Sequence, residues 1–236
     1  MDLFPVTMGL KEELSDMLEI QPVFTIPHTN ITVDETTVVS WIIMAVLTVI
    51  AIILTRKLKV SGELSKRQQI LEVCMDKLIS FFNGIMGEKG EKYIPWLMST
   101  AIFIGASNMV GIFGFKPPTK SLQVTAAMAV TSIILVEAAG IREKGLKGHL
   151  KAFAQPVAVV LPINLLEIII KPLSLCMRLF GNVLGAFIIM ELLKSIVFFK
   201  VGVSLAFSFY FDLFDGFLQA YIFVFLTAMY IKEAVE

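Results

Sequence analysis

The sequence predicts an all-α membrane protein: about five transmembrane helices, one amphipathic helix at the cytoplasmic interface, and a final helix pair that is long, strongly tilted and antiparallel. Three observations predict this. Hydrophobic residues make up 56% of the 236 residues and charged residues only 17%, against ~45–50% and ~25% in a soluble domain. The apolar residues gather into runs of about the ~20 residues that cross a bilayer. Lysine and arginine cluster after alternate runs, as cytoplasmic loops require. The same totals exclude other classes. Twenty basic residues balance twenty acidic ones, so no nucleic-acid footprint is indicated. Cys74 and Cys176 cannot build a disulfide framework or a zinc site, and His28 and His149 stand far apart, so neither a metal nor a cofactor is expected.

Residues 1–35 read as an extracytoplasmic N-terminal segment, with Lys11 alone against seven acids. They lack the basic start and apolar run of a cleaved signal, so the first span serves as the insertion signal. Residues 36–236 read as one integral membrane domain. The first span covers about 38–54 and is followed by Arg56, Lys57, Lys59, Lys66 and Arg67. From about 64 to 88, Ile70, Cys74, Leu78, Phe81 and Ile85 recur at helical spacing among charged residues. This amphipathic helix lies on the membrane surface or packs on neighbouring subunits. Spans at about 94–115 and 122–141 form a hairpin through Lys116-Pro117-Pro118-Thr119-Lys120, and Arg142, Lys144, Lys147 and Lys151 follow. With an odd number of spans, the N-terminus is outside and the C-terminus cytoplasmic.

The last two helices, about 157–198 and 202–234, break near Phe199-Lys200-Val201-Gly202. The first of them would be ~63 Å long at 1.5 Å per residue, twice the ~30 Å hydrocarbon core. Tilt absorbs such a surplus. At 100° per residue, Asn164, Glu167, Lys171, Ser174, Arg178, Asn182 and Gly185 fall within an ~80° sector. Ser204, Ser208, Asp212, Asp215 and Gln219 share a stripe on the last helix. A charge at bilayer depth costs at least ~2.5–3.5 kcal/mol unless paired or hydrated. Two polar stripes therefore imply an aqueous path or an ionic partner. Folding the pair at Phe199-Lys200 puts Arg178 opposite Gln219 near mid-membrane, with Asp212 and Asp215 towards the outside and Glu167 and Lys171 towards the cytoplasm. A guanidinium stays protonated. It cannot relay protons, yet it attracts a passing carboxylate and blocks a free cation.

Pro162-Ile163-Asn164-Leu165-Leu166-Glu167, Lys171-Pro172-Leu173-Ser174-Leu175 and Arg178-Leu179-Phe180-Gly181-Asn182 together resemble the signature of subunit a of F-type ATP synthases, bacterial type. The run Gln219 to Thr227 matches too, as do, more weakly, Asn108-Met109-Val110-Gly111 and Lys144-Gly145-Leu146-Lys147-Gly148. The similarity runs from the second span to the C-terminus. It implies a non-catalytic stator in the cytoplasmic membrane, set against a c-subunit ring, with b-type peripheral stalk subunits and the rest of the complex as further partners. Two offset half-channels would pass H⁺, or Na⁺, to and from the ring carboxylates. Arg178 matches the family's essential arginine and Gln219 the glutamine facing it. Glu167, Lys171 and Ser174 match the cytoplasmic half-channel. Asp212 stands where relatives carry a Glu or His of the outer one, with Asn182 and Asp215 beside it and Asn108 as an entrance residue.

One departure from the family pattern is Phe187, nine residues after the arginine, where many relatives place Glu or His. Asp215, on the same stripe, is a compensating acid. Each residue also has a plainer reading. Arg178 would be a packing residue neutralised by Asp212 or Asp215, and those two acids a structural pair. Glu167 and Lys171 would be an ordinary i, i+4 ion pair. Glu137 would snorkel to the inner interface, Glu191 and Lys194 would be solvated at the outer end, and Asn108 would cap or pack. Cys176 reads as a packing residue. A transporter or channel without a rotor is the alternative function, but no second copy of either polar segment exists in the sequence, as an internal repeat would require.

Overall fold

The computed structural model describes residues 22–25, 32–56, 58, 65–113, 117–152, 161–195 and 209–236. Before the first span the chain forms a small antiparallel hairpin, β1 (Pro22–Thr25) and β2 (Thr32–Asp34), irregular between Pro22 and Phe24. Helix α1 (Glu35–Thr55) follows directly. Trp41, Ile42, Val46, Val49, Ile50 and Ile53 are exposed along it, while Thr36, Ser40 and Ile43 form a narrow buried seam at i, i+4, i+7. Hydrocarbon offers no water to satisfy hydroxyls, so they bond to their own helix: Ser40 donates to the Thr36 carbonyl at 2.9 Å and Thr48 to that of Met44 at 2.7 Å.

Helix α2 (Lys66–Met86) is the amphipathic segment. The stripe expected to be its apolar face is left largely uncovered, with Ile70 72% exposed. The chain instead draws Phe82 and Met86 into its core. The cause is the stop at Gly87, whose φ of +70° suits glycine and turns the backbone into a 3₁₀ segment, Glu88–Tyr93. Arg67 donates to the Ile53 carbonyl, tying α2 to the end of α1. Helix α3 (Ile94–Met109) continues into a 3₁₀ turn, Val110–Phe113, and the hairpin closes through a second such turn, Pro118–Lys120.

Helix α4 (Leu122–Ala152) outruns the expected span end near 141. Charged residues mark where it leaves the hydrocarbon but do not end a helix, since Arg142, Glu143 and Lys144 are good helix formers. Gly145, at φ +70°, folds the chain back instead. Helix α5 (Leu161–Ser195) carries Pro172 internally. Its 35 residues correspond to ~52 Å of helix, well beyond the ~30 Å core. A π-helical turn, Phe209–Asp215, leads into α6 (Gly216–Val235). The proposed starts near 157 and 202 and the turn at Phe199-Lys200 lie outside the described residues. Among the described residues five helices are long and apolar enough to cross a membrane.

The core gathers around α6, which packs on α3 and α4. Leu97 and Ile104 from α3, Val136 and Ala139 from α4, Leu175 and Leu179 from α5, and Phe223, Ala228 and Ile231 from α6 are buried together. Small residues let the helices approach closely without a hydrophobic driving force in lipid. Gly216 is one such case, where α6 meets α3: a β-carbon there would lie 2.8 Å from Asn108 Cβ. Gly216→Val is expected to cost about 1–3 kcal/mol of packing, read as reduced abundance of the chain in membranes, with Gly216→Ala intermediate.

Candidate functional site: a polar stripe on the long helix

Helix α5 has three faces. Leu175, Cys176 and Leu179 form its buried seam. Leu166, Ile169, Ile170, Leu173 and Met177 form an apolar face that none of the described residues covers. The polar stripe runs along the edge between them, since a 3.6-residue period places Lys171, Ser174 and Arg178 beside the seam. Arg178 is part-buried there, and its Nη2 donates to Ser174 Oγ at 3.5 Å, one turn back. Among the described residues Arg178 makes no ion pair, which removes Asp215 as its neutralising partner. Asn182, one turn further, is exposed. Cys176 packs as expected, its Sγ 3.6 Å from Thr125 Oγ1.

Towards the start of α5, Lys171 is shared between two helices. Its Nζ lies 3.2 Å from Glu167 Oε2 and 3.0 Å from Glu233 Oε2 near the end of α6, and it stands over the Tyr230 ring. The start of one helix thus meets the end of the next, as antiparallel neighbours do. A polar cavity of about 280 Å³ opens here, lined by Asn164, Glu167, Lys171, Tyr230 and Glu233 and, across it, by Glu137 and His149. Glu137 does not simply snorkel: its Oε2 lies 2.7 Å from His149 Nε2. Sequence reasoning missed Glu233, His149 and this contact. The signal was present in Gly145, whose fold-back is what brings residues twelve apart together.

Towards the other end, Gln219 is buried on α6 and its Nε2 donates to Asp215 Oδ1 at 3.3 Å. No hydrogen bond joins Gln219 to Arg178; each bonds one turn away on its own helix. Asn108 is a packing bridge: it donates to the Gly216 carbonyl at 3.1 Å and accepts from Thr119 at 2.6 Å. Phe187, in place of an acid, carries the Lys120 ammonium 3.3 Å from its ring centroid, a cation–π contact with a largely buried amine. The side chains of Asp212, Glu191 and Lys194 lie outside the described residues.

The polar side chains of α5 and α6 thus form three separate groups: Lys171 with Glu167 and Glu233, Arg178 with Ser174 at 3.5 Å, and Gln219 with Asp215. The profile of the ATP synthase A chain family matches residues 37–232 of this sequence. The chain belongs to that family. It is similar to the ATP synthase subunit a of Moorella thermoacetica, 34% identical over 221 residues that cover 93% of this chain and 99% of the relative. Subunit a 2 of Acaryochloris marina is 32% identical, covering 86% of each chain. Subunit a 1 of Chlorobaculum parvum is 33% identical, covering 85% and 88%. Family membership and five apolar helices make the chain a multi-pass membrane subunit of an ATP synthase.

Proposed function

We propose that the chain is the stator of the synthase membrane sector, passing H⁺ to and from the carboxylates of a c-subunit ring through two offset half-channels. The N-terminus is outside and the C-terminus cytoplasmic. The observation that carries the reading is the position of Arg178 on the border between the packed seam of α5 and its open apolar face. A ring of apolar helices sliding over Leu166, Ile169, Leu173 and Met177 would bring each carboxylate past the guanidinium. Ionised, that carboxylate is costly in hydrocarbon; beside a permanent cation it is stable. The arginine therefore strips the proton at one point of the turn, and Ser174 positions it.

The cavity of Asn164, Glu167, Lys171 and Glu233 is the cytoplasmic half-channel, and Asp212, Asp215, Gln219 and Asn182 line the outer one, with Asn108 holding its wall together. A proton from outside neutralises a ring carboxylate, rides nearly a full turn and leaves to the cytoplasm. Arg178 separates the two halves and prevents a direct leak. Na⁺ remains the ring's choice, since its carboxylate supplies the ligands. The uncovered stripe of α2 suits b-type stalk subunits, and α1 faces lipid.

Cross-linking tests the contact. With Cys74 and Cys176 replaced by Ala, Met177→Cys should form a disulfide with a cysteine placed one turn from the ring carboxylate. Val136→Cys, buried against α6, should not. Absence of the Met177 product under oxidation that links a known neighbouring pair would remove the ring from this face.

A further inference from the structure

We propose that His149, held by Glu137, is the proton-collecting group at the cytoplasmic mouth of the path, exchanging protons between bulk water and the cavity beside Lys171. The inference rests on the stator reading above and adds residues to it. Two glycines build the seat. Gly145 at φ +70° returns the chain along α4, and Gly140 leaves room for the imidazole: a β-carbon there would lie 2.7 Å from His149 Cε1 and 3.3 Å from the Ala234 carbonyl oxygen. The ring thereby packs over Gly140, where α4 comes close to the end of α6, with Nε2 2.7 Å from Glu137 Oε2.

Chemistry selects His149 among its neighbours. The other titratable groups lining the cavity are Glu137 and Lys144 on α4, Glu167 and Lys171 on α5, and Tyr230 and Glu233 on α6. Carboxylates, amines and phenols ordinarily titrate near ~4, ~10.4 and ~10, too far from neutrality to take up and give up a proton quickly at cytoplasmic pH. Imidazole, at ~6.5, does both. In each cycle the ring accepts one proton at nitrogen while the 2.7 Å contact with Glu137 holds it in place, and the same proton is then surrendered. During ATP-driven pumping it comes from cytoplasmic water and goes to the cavity; during synthesis it travels the other way. One proton enters and one leaves. His149 is 10% exposed and Glu137 29%, so both side chains line the cavity while keeping some contact with solvent.

The test is ATP-driven proton pumping by the complete synthase in inside-out vesicles, whose cytoplasmic face meets a weakly buffered medium. At pH ~8, where hydronium is scarce, His149→Gln should pump about threefold or more slowly, a smaller loss than the ~10²–10⁴ of a positioned acid or base because water shares the transfer. At pH ~6 the loss should nearly vanish, since imidazole uptake is no longer limiting there. Added imidazole should restore the alkaline rate. An unchanged alkaline rate, or a uniform loss that imidazole does not repair, overturns the proposal. Should His149→Gln fail to assemble, Glu137→Gln serves: it removes the carboxylate that faces Nε2 and should slow alkaline pumping in the same way, with repair by added imidazole. An unchanged profile overturns the proposal. Arg178→Ala in the same assay separates the two readings: a dead Arg178 variant beside a normal His149 variant removes only the collector, whereas normal pumping by the Arg178 variant removes the stator.

Discussion

Arg178→Ala is expected to abolish ATP synthesis driven by an imposed ion gradient while leaving ATP hydrolysis by the detached catalytic head unchanged. On the stator reading, the ~2.5–3.5 kcal/mol or more that an ionised carboxylate costs in hydrocarbon is then no longer offset by the guanidinium, so the ring acid would keep its proton and the proposed half-channels would lose their divider. Among the described residues Arg178 makes no ion pair and one long bond to Ser174, so removing it strands no described carboxylate. Loss of function through misfolding is therefore not the expected outcome, and normal levels of the chain in membranes check it. Arg178→Lys should fail as well, because a flexible ammonium does not present the planar fork. Full coupled synthesis in either variant would defeat the assignment.

Asp212→Asn with Asp215→Asn is expected to cut turnover by about tenfold or more, the scale of removing a positioned proton-transfer group. The asparagine at 215 still accepts from Gln219, replacing the 3.3 Å contact with an uncharged one of the same shape, so packing is retained while the acid is lost. Phe187 supplies no second acid to soften the loss and instead holds Lys120 against its ring. Near-normal proton flux in the double variant, measured as the decay of an imposed pH gradient through the membrane sector, would return both acids to structural roles.

The helices and the polar stripe of α5 were legible in the sequence because both follow from periodicity. The positions of Arg178, Glu167 and Lys171 on one edge of α5 need only 100° per residue, and the predicted i, i+4 pair is present at 3.2 Å. What periodicity does not carry is contact between segments. Asn108 read equally well as cap, packing residue or entrance, and only the approach of Gly216 made it a bridge. The hydrophobic stripe of α2 was visible, yet the residues that enter the core are Phe82 and Met86, because the Gly87 turn sets which end of the helix meets α6. Glu137 and His149 are twelve residues apart, ~18 Å along a straight helix, and no pattern along the chain announces that they touch.

The sequence by itself determined that this protein lives in a membrane, that its chain crosses in helices, and that one arginine stands in the middle of an ordered polar stripe. Those properties come from transfer energies and helical repeat, which act residue by residue. Only the tertiary structure decided that Lys171 is shared by Glu167 and Glu233, that Gln219 holds Asp215 rather than Arg178, and that His149 folds back on Glu137 over a common cavity. Such partnerships depend on where glycines let backbones turn or approach, and that is settled by packing in three dimensions.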